Sequence, residues 1–388
     1  LYTDRIHDTA VIVDNKIIEE PSFQLRYESD SKMYNSKIED NVVFTKGTPR
    51  ILRNLKGRVF SMLTGGGGND NYWHWLFDVL PRFALCEKVL DLNDINFFLL
   101  PSLEKKFQKE TLDLLNISKK KRLSSKHFRH ISASELFVTE HPYVITNDVN
   151  KDIHNIPIWI TKWLKEKYIN TKSNNNLNLP KKIFIDSSDS SQRKKKLRLL
   201  INENEVKNFL INKGFKSIIL GNLHFSEQIK IFNNAEIIIG LHGAGFANMC
   251  FCKPGTKIIE IKSNKTQKVI ENLANTNDLF YKSISCKPIK FISENSFGHI
   301  NVSIDLLKKV IDIIKSKNFS ISNIDINVIA QKPKIKKHSK KMIDTISKIC
   351  EINPNQINIK GRTTEKIGLI GKEKAIAAEA IVSVTNND

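Results

Sequence analysis

The stretch that decides the fold spans residues 235–260 and reads AEIIIGLHGAGFANMCFCKPGTKIIE. A run of β-branched residues leads into a short turn, and a helical pattern follows. This turn consists of His242, Gly243, Ala244 and Gly245. Small residues let the backbone approach a ligand, and amide groups at a helix start can bind phosphate, with a hydrogen bond from His242. Glu260 ends the next strand, where a carboxylate can reach ribose hydroxyls. The alternative is a tight turn whose glycines serve packing alone.

Strands and helices alternate on both sides of this stretch. In the same half, the pattern predicts strands at 182–186, 216–220, 236–240 and 257–261, with helices at 204–213, 226–234, 246–252 and 266–274. An earlier half predicts strands at 58–63 and 96–100, with helices at 71–85, 103–115 and 156–166. Such alternation is typical of doubly wound parallel sheets. We therefore predict an α/β fold with two Rossmann-type domains and a cleft between them.

A second motif lies in the earlier half, where residues 65–82 read GGGGNDNYWHWLFDVLPR. The glycines predict a flexible loop before a helix. On that helix one apolar stripe forms from Leu76, Val79, Leu80 and Phe83. His74, Asp78 and Arg82 step by four on the opposite side, among aromatic residues that indicate a cleft wall. Asp78 or His74 could take a proton from an acceptor hydroxyl while Arg82 meets anionic charge. The alternative is a solvated ion-pair face.

Together, the two motifs resemble those of the family 61 glycosyltransferases. The first matches that family's Y-x-HW-x-x-D-x-L-P-R block, and the second matches its HGAG block, which includes Asn248 and Glu260. Between them, Arg198 with Asn202–Glu203 resembles an R…NE pattern, and the resemblance spans roughly residues 30–300. The chain departs from the family at Asp186–Ser187, where Ser-Arg is usual. Arg193 and Arg198 are the candidates to replace that arginine.

The resemblance implies a GT-B fold, a nucleotide-sugar donor and inversion at the anomeric carbon, without an obligatory metal or other cofactor. It also implies residue roles: Asp78 or His74 is the base and Arg82 supports it. The groups that hold the donor are then Arg198, His242, Gly243, Ala244, Gly245, Asn248 and Glu260. The implied acceptor is a glycan or a lipid-linked glycan in surface polysaccharide or lipopolysaccharide synthesis.

The last part of the chain changes character. From Asp325 onward the pattern predicts a strand, a helix, a second strand, a Gly-rich loop and a final helix or strand. Residues 330–334, AQKPK, and 359–368, IKGRTTEKIG, resemble the C-terminal part of methylerythritol cyclodiphosphate synthase, an isoprenoid-pathway enzyme. This resemblance covers roughly residues 324–384. It implies a nucleotide pocket near a diphosphate, formed by Ala330, Lys332, Pro333, Lys334, Thr363, Thr364 and Glu365.

The N-terminal half of that second family, which carries its zinc ligands, has no counterpart here. Asp152-Ile153-His154 has the Asp-x-His spacing, but its surroundings do not match. Half of a catalytic site cannot perform the cyclisation, so we predict that the tail has no cyclase activity. It could still bind a cytidine nucleotide or mediate oligomerisation. The alternative is a remnant of gene fusion.

Composition changes suggest the domain boundaries. The polar, Asn-rich run 171–179 separates an acceptor-side domain, 1–175, from a nucleotide-sugar-binding domain, 176–317. A Ser/Asn-rich linker is predicted at 318–323, and the cyclodiphosphate synthase-like segment follows at 324–388.

Charge and cysteine content constrain the setting. The net charge of +20 is explained mostly by Lys-rich solvated faces, although contact with an anionic membrane surface fits it as well. The basic runs lack interleaved aromatic residues, so nucleic acid is not a predicted partner. Five cysteines form neither a disulfide framework nor a paired CxxC metal motif. The chain begins without Met or a signal pattern. We therefore predict that an upstream piece is missing and that the protein is cytoplasmic, at or near the inner face of the membrane.

Overall fold

The computed structural model describes residues 1–3, 8–22, 25–27, 33–35, 37–63, 70–144, 146, 148–169, 179–188, 198–289, 298–315, 319–350 and 352–386. The chain divides into two compact units, Leu1–Leu307 and Lys308–Asp388. The boundary predicted at 175/176 falls inside the first unit and stays a prediction. The predicted glycine loop at 65–68 and almost all of the Asn-rich run lie outside the described residues.

The first parallel sheet of the larger unit has four strands, in the spatial order Arg122–Ser124, Phe97–Leu100, Arg53–Ser61 and Ile131–Val138. Its strands are β6 (Arg53–Ser61), β7 (Phe97–Leu100), β8 (Arg122–Ser124) and β9 (Ile131–Val138). The helices around it are α2 (Tyr72–His74), a π-helical turn (Trp75–Val79), α3 (Pro81–Cys86), α4 (Lys106–Leu114), α5 (Val149–Asp152) and α6 (Ile158–Tyr168). Asn71 caps α2, since its side chain accepts a hydrogen bond from the Trp73 amide at 2.9 Å. The helix predicted at 71–85 is therefore confirmed, with one wider turn in its middle.

The second parallel sheet has five strands, in the spatial order Lys216–Ile218, Lys182–Ile185, Ile237–Leu241, Lys257–Ser263 and Phe280–Cys286. Its strands are β10 (Lys182–Ile185), β11 (Lys216–Ile218), β12 (Ile237–Leu241), β13 (Lys257–Ser263) and β14 (Phe280–Cys286). Its helices are α7 (Glu203–Asn212), α8 (Phe225–Asn234), a 3₁₀ helix (Ala244–Phe251) and α9 (Val269–Thr276). The mixed α/β class with parallel sheets is therefore confirmed.

Smaller elements complete the larger unit. An antiparallel three-stranded sheet contains β1 (Tyr2–Thr3), β2 (Thr9–Val13) and β3 (Lys16–Ile18), and a hairpin contains β4 (Leu25–Tyr27) and β5 (Met33–Asn35). Helix α1 is Val42–Lys46, and short 3₁₀ turns are Glu20–Ser22, Ile38–Asp40, Leu92–Asp94, Lys119–Lys121 and Leu220–Asn222. Helix α10 (Ile304–Lys315) crosses the boundary between the units.

One buried apolar cluster joins the elements of the two parallel sheets. Trp75, Phe83 and Phe98 come from the earlier half, and Phe225 and Phe251 come from the later half. Each of these rings is 0% exposed. Aromatic rings of this size remove the largest apolar areas from water, so their burial contributes much of the hydrophobic stabilisation. The shared core fixes the positions of the two sequence motifs relative to each other.

The second unit is a small α+β structure, as predicted. Its elements are β15 (Phe319–Ile329), a 3₁₀ turn (Ile335–Lys337), α11 (Ser339–Cys350), a 3₁₀ turn (Pro354–Gln356), β16 (Ile357–Arg362), α12 (Gly368–Gly371) and β17 (Ala377–Asn386). Strand β15 lies between β16, to which it is parallel, and β17, to which it is antiparallel. The linker predicted at 318–323 is wrong for residues 319–323, because they pair with the end of β17 and extend β15.

Candidate active site

The HGAG turn lies at the carboxyl end of β12. Parallel register places Gly240 beside Glu260 of β13, and the His242 amide donates to the Ile261 carbonyl at 2.8 Å. The two glycines of the turn differ in their surroundings. A Cβ at Gly245 would lie 2.9 Å from Leu220 Cδ1, so a larger residue there requires the Leu220 side chain to move. At Gly243 the nearest atom would be 3.6 Å away, so its backbone is approachable. Gly245 is therefore the more tightly packed of the two glycines, and the ligand-binding role of the turn stays a prediction.

A cleft opens above this turn and takes residues from both halves of the larger unit. Its lining is formed by Tyr72, Phe107, Ile185, Asp186, Ser187, Arg198, Leu220, Gly221, Gln228, Leu241, His242, Gly243, Ala244 and Gly245. Five predicted donor-binding residues line it, namely Arg198 and the four residues of the HGAG turn. Arg193, the other candidate for the replaced arginine, lies outside the described residues. Apolar rings and a guanidinium group in one cleft fit a ligand that has both an aromatic base and phosphate.

Glu260 lies beneath the turn and does not line the cleft. It is 0% exposed, and one carboxylate oxygen contacts His242 Nδ1. The other oxygen accepts a hydrogen bond from the Tyr281 hydroxyl and lies 3.3 Å from Lys262 Nζ. The prediction that Glu260 contacts the donor directly is therefore corrected. Strand β13 has a neighbouring strand on each side, and the Glu260 side chain is enclosed by His242, Tyr281 and Lys262. Glu260 therefore orients His242 instead.

The ionisation of this pair follows from its surroundings. Burial would raise the pKa of Glu260, but His242, Tyr281 and Lys262 together hold it below its usual range. Burial lowers the pKa of His242, and the nearby Arg198 charge lowers it further, against the opposing effect of Glu260. His242 is therefore neutral at neutral pH beside a charged carboxylate.

His74 and Asp78 form a second histidine–carboxylate pair. The π-helical turn follows His74, and His74 Nδ1 lies 2.5 Å from Asp78 Oδ2. Asp78 is 2% exposed, whereas the His74 side chain is 35% exposed. The Tyr143 hydroxyl donates to Asp78 Oδ1 at 2.6 Å, and His141 Nε2 lies 3.9 Å from the same oxygen. The carboxylate is thus enclosed while the imidazole reaches solvent.

These contacts set opposite pKa shifts in the pair. Burial would raise the pKa of Asp78, but His74 and His141 outweigh it and hold the pKa far below the usual range of a carboxyl group. Burial would lower the pKa of His74, yet the charge of Asp78 and its hydrogen bond outweigh burial and raise it. An ionised carboxylate of such low basicity is a poor proton acceptor, whereas an imidazole with a raised pKa is a better one.

Arg82 is fully buried and does not line the cleft. Its Nε donates to the Asp78 carbonyl at 2.8 Å, and its Nη1 donates to the carbonyls of Thr139 and Glu140 at 3.1 and 3.2 Å. The expectation that Arg82 meets a ligand's anionic charge is corrected, because helix packing turns its side chain inward. Arg82 instead fastens the turn that carries Asp78 to the segment after β9.

Tyr72 and Asn248 join the two motifs. The Tyr72 hydroxyl donates to Asn248 Oδ1 at 2.6 Å, and Asn248 Nδ2 donates to Gln228 Oε1 at 2.9 Å. Asn248 is 0% exposed, so its predicted contact with the diphosphate is corrected. Since Tyr72 also lines the cleft and lies two residues before His74, this bond holds the His74 turn against the HGAG helix.

Several site residues were absent from the sequence prediction. Phe107 and Gln228 line the cleft, while Tyr143 and His141 surround Asp78. Asp186 also lines it, and its oxygens accept hydrogen bonds from the Ser188 amide, Lys207 and the Ser217 hydroxyl. Burial opposes ionisation of Asp186, but Lys207 and the two serines lower its pKa to about 2. The available signal was the departure from the family pattern at Asp186–Ser187, which the sequence analysis treated as a lost arginine and not as a site residue.

In the second unit the two predicted pocket loops lie together. The Ala330 amide donates to the Arg362 carbonyl at 2.9 Å, and the Lys366 amide donates to Gln331 Oε1 at 3.3 Å. The Thr363 hydroxyl lies 2.5 Å from Glu365 Oε1, and the Thr364 hydroxyl donates to the Ile367 carbonyl at 2.8 Å. Lys332 pairs with Glu373 at 3.0 Å. The roles expected for the Pro333 and Lys334 side chains stay predictions.

Comparison with known families confirms both resemblances. Residues 72–259 match the family model described as Glycosyltransferase 61, a region that starts at Tyr72 and ends one residue before Glu260. This part of the chain, just under half of its length, is thus similar to the glycosyltransferase 61 family. Residues 291–385 match the model of the YgbB family, so the second unit lies almost wholly within an IspF-like segment.

Curated relatives also match the cyclodiphosphate synthase-like region. A bifunctional enzyme IspD/IspF of Pelagibacter ubique is 54% identical over 100 residues, which are 26% of this chain and 27% of that protein. The 2-C-methyl-D-erythritol 2,4-cyclodiphosphate synthase of Nostoc sp. is 41% identical over 86 residues, 22% of this chain and 52% of that one. The chain thus spans about a quarter to a half of these relatives. These names do not support our prediction that the tail has no cyclase activity.

One similar solved structure is IspF of Plasmodium falciparum as a CDP complex. It is 42% identical, covers 22% of this chain and 54% of its own, and superposes with a TM-score of 0.19.

Among the described residues, no helix is long and apolar enough to cross a bilayer. Within the same residues, no group of three or more His, Cys, Asp or Glu side chains is arranged to hold a metal ion.

Proposed function

We propose that the larger unit transfers a sugar from a nucleotide-sugar donor to a hydroxyl of a glycan or lipid-linked acceptor. The observation that carries this proposal is the cleft in which Tyr72 and Phe107 of one half face Arg198 and the HGAG turn of the other. Aromatic rings suit a nucleobase, and a guanidinium beside approachable backbone amides suits a diphosphate. The match to the glycosyltransferase 61 family supports the same reaction class.

His74 is the proposed base, and Asp78 is the residue that orients it. Asp78 Oδ2 accepts the Nδ1 proton, which leaves the Nε2 lone pair of the partly exposed ring for the acceptor. The acceptor oxygen attacks the anomeric carbon and forms the new C–O bond while its proton passes to His74 Nε2. The bond from the anomeric carbon to the phosphate oxygen breaks, and the nucleotide diphosphate leaves with the electron pair. Arg198 and the HGAG amides stabilise that leaving charge.

The two parallel sheets of the larger unit are the proposed halves of a GT-B arrangement. Supporting this, each half supplies part of the cleft wall, and each contains an all-parallel sheet. We further propose inversion at the anomeric carbon, a role in surface polysaccharide or lipopolysaccharide synthesis, no obligatory cofactor, and a cytoplasmic site near the inner membrane face. Lys-rich surfaces and the net charge of +20 favour an anionic membrane as a contact.

Donor binding tests the proposal directly. Replacing Arg198 with alanine should weaken binding of the preferred nucleotide-sugar about 10- to 100-fold, because a charge-assisted hydrogen bond to phosphate is lost. A panel of UDP-, GDP-, CMP- and CDP-activated donors, titrated by calorimetry with and without EDTA, identifies that donor. Lys253→Ala removes an exposed lysine outside the cleft and serves as the control. Equal donor affinity in Arg198→Ala and the parent protein would contradict this placement of the diphosphate.

The second unit has its own candidate function, which is binding of a cytidine nucleotide. The convergence of the 330–334 and 363–366 loops favours it. Lys332→Ala should weaken CDP binding roughly tenfold through loss of a cationic contact, whereas exposed Lys336→Ala should not. Titrating CDP into Arg198→Ala shows which unit binds it. Loss of Arg198 should weaken CDP binding only if CDP binds in the transferase cleft. Cyclodiphosphate formation should be measured in parallel. If Lys332→Ala binds CDP as tightly as the parent chain, the candidate pocket is wrong. Oligomerisation through this unit is likewise a proposal.

A further inference from the structure

Asp78 uses only one of its carboxylate oxygens to orient His74, and the other oxygen has its own set of buried partners. Oδ2 faces His74, whereas Oδ1 accepts a 2.6 Å hydrogen bond from the Tyr143 hydroxyl. Tyr143 is 3% exposed and is located on the segment after β9, far from Asp78 in sequence. A carboxylate with one oxygen tethered cannot rotate freely about its terminal bond. The position of Oδ2 therefore depends on Tyr143.

His141 supports the same oxygen from another direction. Its Nδ1 accepts hydrogen bonds from the Val144 and Tyr143 amides at 3.2 and 3.4 Å, so Nδ1 carries no proton. Burial lowers the pKa of His141 and keeps the ring neutral, with its proton on Nε2. That nitrogen lies 3.9 Å from Asp78 Oδ1, beyond hydrogen-bond distance, and has no hydrogen-bond partner among the described residues. Asp78 thus lies between two imidazoles of opposite tautomer, with the His141 N–H close enough to interact electrostatically.

We propose that Tyr143, assisted by His141, is a positioning residue that fixes the proton-accepting tautomer of His74 by holding the second oxygen of Asp78. This inference rests on the proposed role of His74 as base. Tyr143 is not among the residues that line the cleft, and its hydroxyl donates to Asp78, so its proposed effect on His74 passes through Asp78. Without its hydroxyl, Oδ1 has no short donor, and Asp78 is free to turn Oδ2 away from His74.

The test compares Tyr143→Phe with the parent chain in two measurements. In ¹⁵N-histidine-labelled full-length protein, the ring nitrogens of His74 should report the Nδ1–H tautomer, and Tyr143→Phe should shift them towards Nε2–H. With the preferred donor, kcat should fall about 10- to 100-fold, as expected for loss of a hydrogen bond to a charged group, while donor KM stays unchanged. The His74 signals are assigned by their disappearance in His74→Gln.

Tyr168→Phe is the matched control. Tyr168 is also buried, and its hydroxyl donates to the Thr111 carbonyl at 3.3 Å, away from Asp78. It should alter neither the His74 tautomer nor kcat. If Tyr143→Phe fails to fold, 3-fluorotyrosine can be incorporated instead. Its more acidic hydroxyl strengthens the hydrogen bond to Asp78. The His74 signals should then move towards the Nδ1–H tautomer, opposite to the change expected for Tyr143→Phe.

The two measurements separate this inference from the proposed reaction. The tautomer is read without substrate, so an unchanged His74 spectrum in Tyr143→Phe would overturn the positioning role whatever the activity. A shifted spectrum in a chain that transfers no sugar from any donor would retain the positioning role and reject the transferase assignment instead. A fall in kcat with an unchanged tautomer would also count against the inference.

Discussion

Replacing His74 with alanine is expected to reduce sugar transfer about 10²- to 10⁴-fold, the usual contribution of a general base. Donor affinity should stay close to that of the parent chain, because His74 is not among the residues that line the cleft. Product formation with the preferred donor at saturating concentration measures the loss. His154→Ala is the control, since His154 is a partly exposed histidine whose ring contacts Gln267 and not Asp78.

The pH profile of the same reaction distinguishes the base from a merely structural histidine. Only neutral imidazole accepts a proton, so kcat should rise with pH through the pKa of His74. Asp78 raises that pKa above the ordinary value of 6.5, and His141, Arg82 and Tyr143 are the other titratable groups around the carboxylate. Asp78→Asn should lower the inflection and reduce kcat by up to about 10⁴-fold through loss of the correct tautomer. An unaltered profile in Asp78→Asn would exclude His74 as the base.

The secondary structure could be predicted because apolar periodicity is a local property of the sequence. Strands at 182–186 and 257–261 and the helix at 204–213 were found within two residues of their observed bounds. The 3₁₀ form of Ala244–Phe251 was not predicted, and neither was the π-helical turn at Trp75–Val79. Apolar residues repeating every 3.6 positions predict a helix but do not distinguish the α, 3₁₀ and π-helical forms.

The site was only partly predictable, for a different reason. His74 and Asp78 are four residues apart, and residues one helical turn apart share a face. The sequence therefore correctly predicted that these two side chains pair. The same spacing gave the wrong direction for Arg82, whose partners at 139–140 are distant in sequence. The fully buried Glu260 and Asn248 show the same limit: motif membership identifies residues near a ligand site but does not separate those that touch the ligand from those that hold its neighbours.

Replacing Arg82 with methionine is expected to destabilise the larger unit far more than the loss of an exposed ion pair would. The Arg82 guanidinium is 0% exposed and joins the Asp78 turn to Thr139 and Glu140. Burial lowers its pKa to about 10, with Asp78 and Tyr143 opposing the shift, so it remains charged at neutral pH. Arg82→Met removes that charge and takes the guanidinium donors away from the carbonyls of Asp78, Thr139 and Glu140. Loss of a buried hydrogen-bond partner costs about 1–3 kcal/mol for each group affected, so the combined loss corresponds to a Tm lower by on the order of 10 °C.

The chain offers a signal specific to the affected unit. All four tryptophans, at 73, 75, 159 and 163, belong to Leu1–Leu307, so thermal unfolding followed by tryptophan fluorescence reports on that unit alone. Arg58→Met is the control, because it removes the same guanidinium group from a site with 37% side-chain exposure, where Arg58 pairs with Asp94 and Glu135. Solvent-screened ion pairs contribute at most about 1 kcal/mol to the free energy of unfolding. The Tm of Arg58→Met should therefore stay close to that of the parent chain. Equal Tm values for the two variants would show that Arg82 does not stabilise the turn that contains Asp78. The orientation of Asp78 would then have to depend on Tyr143 and the helix core.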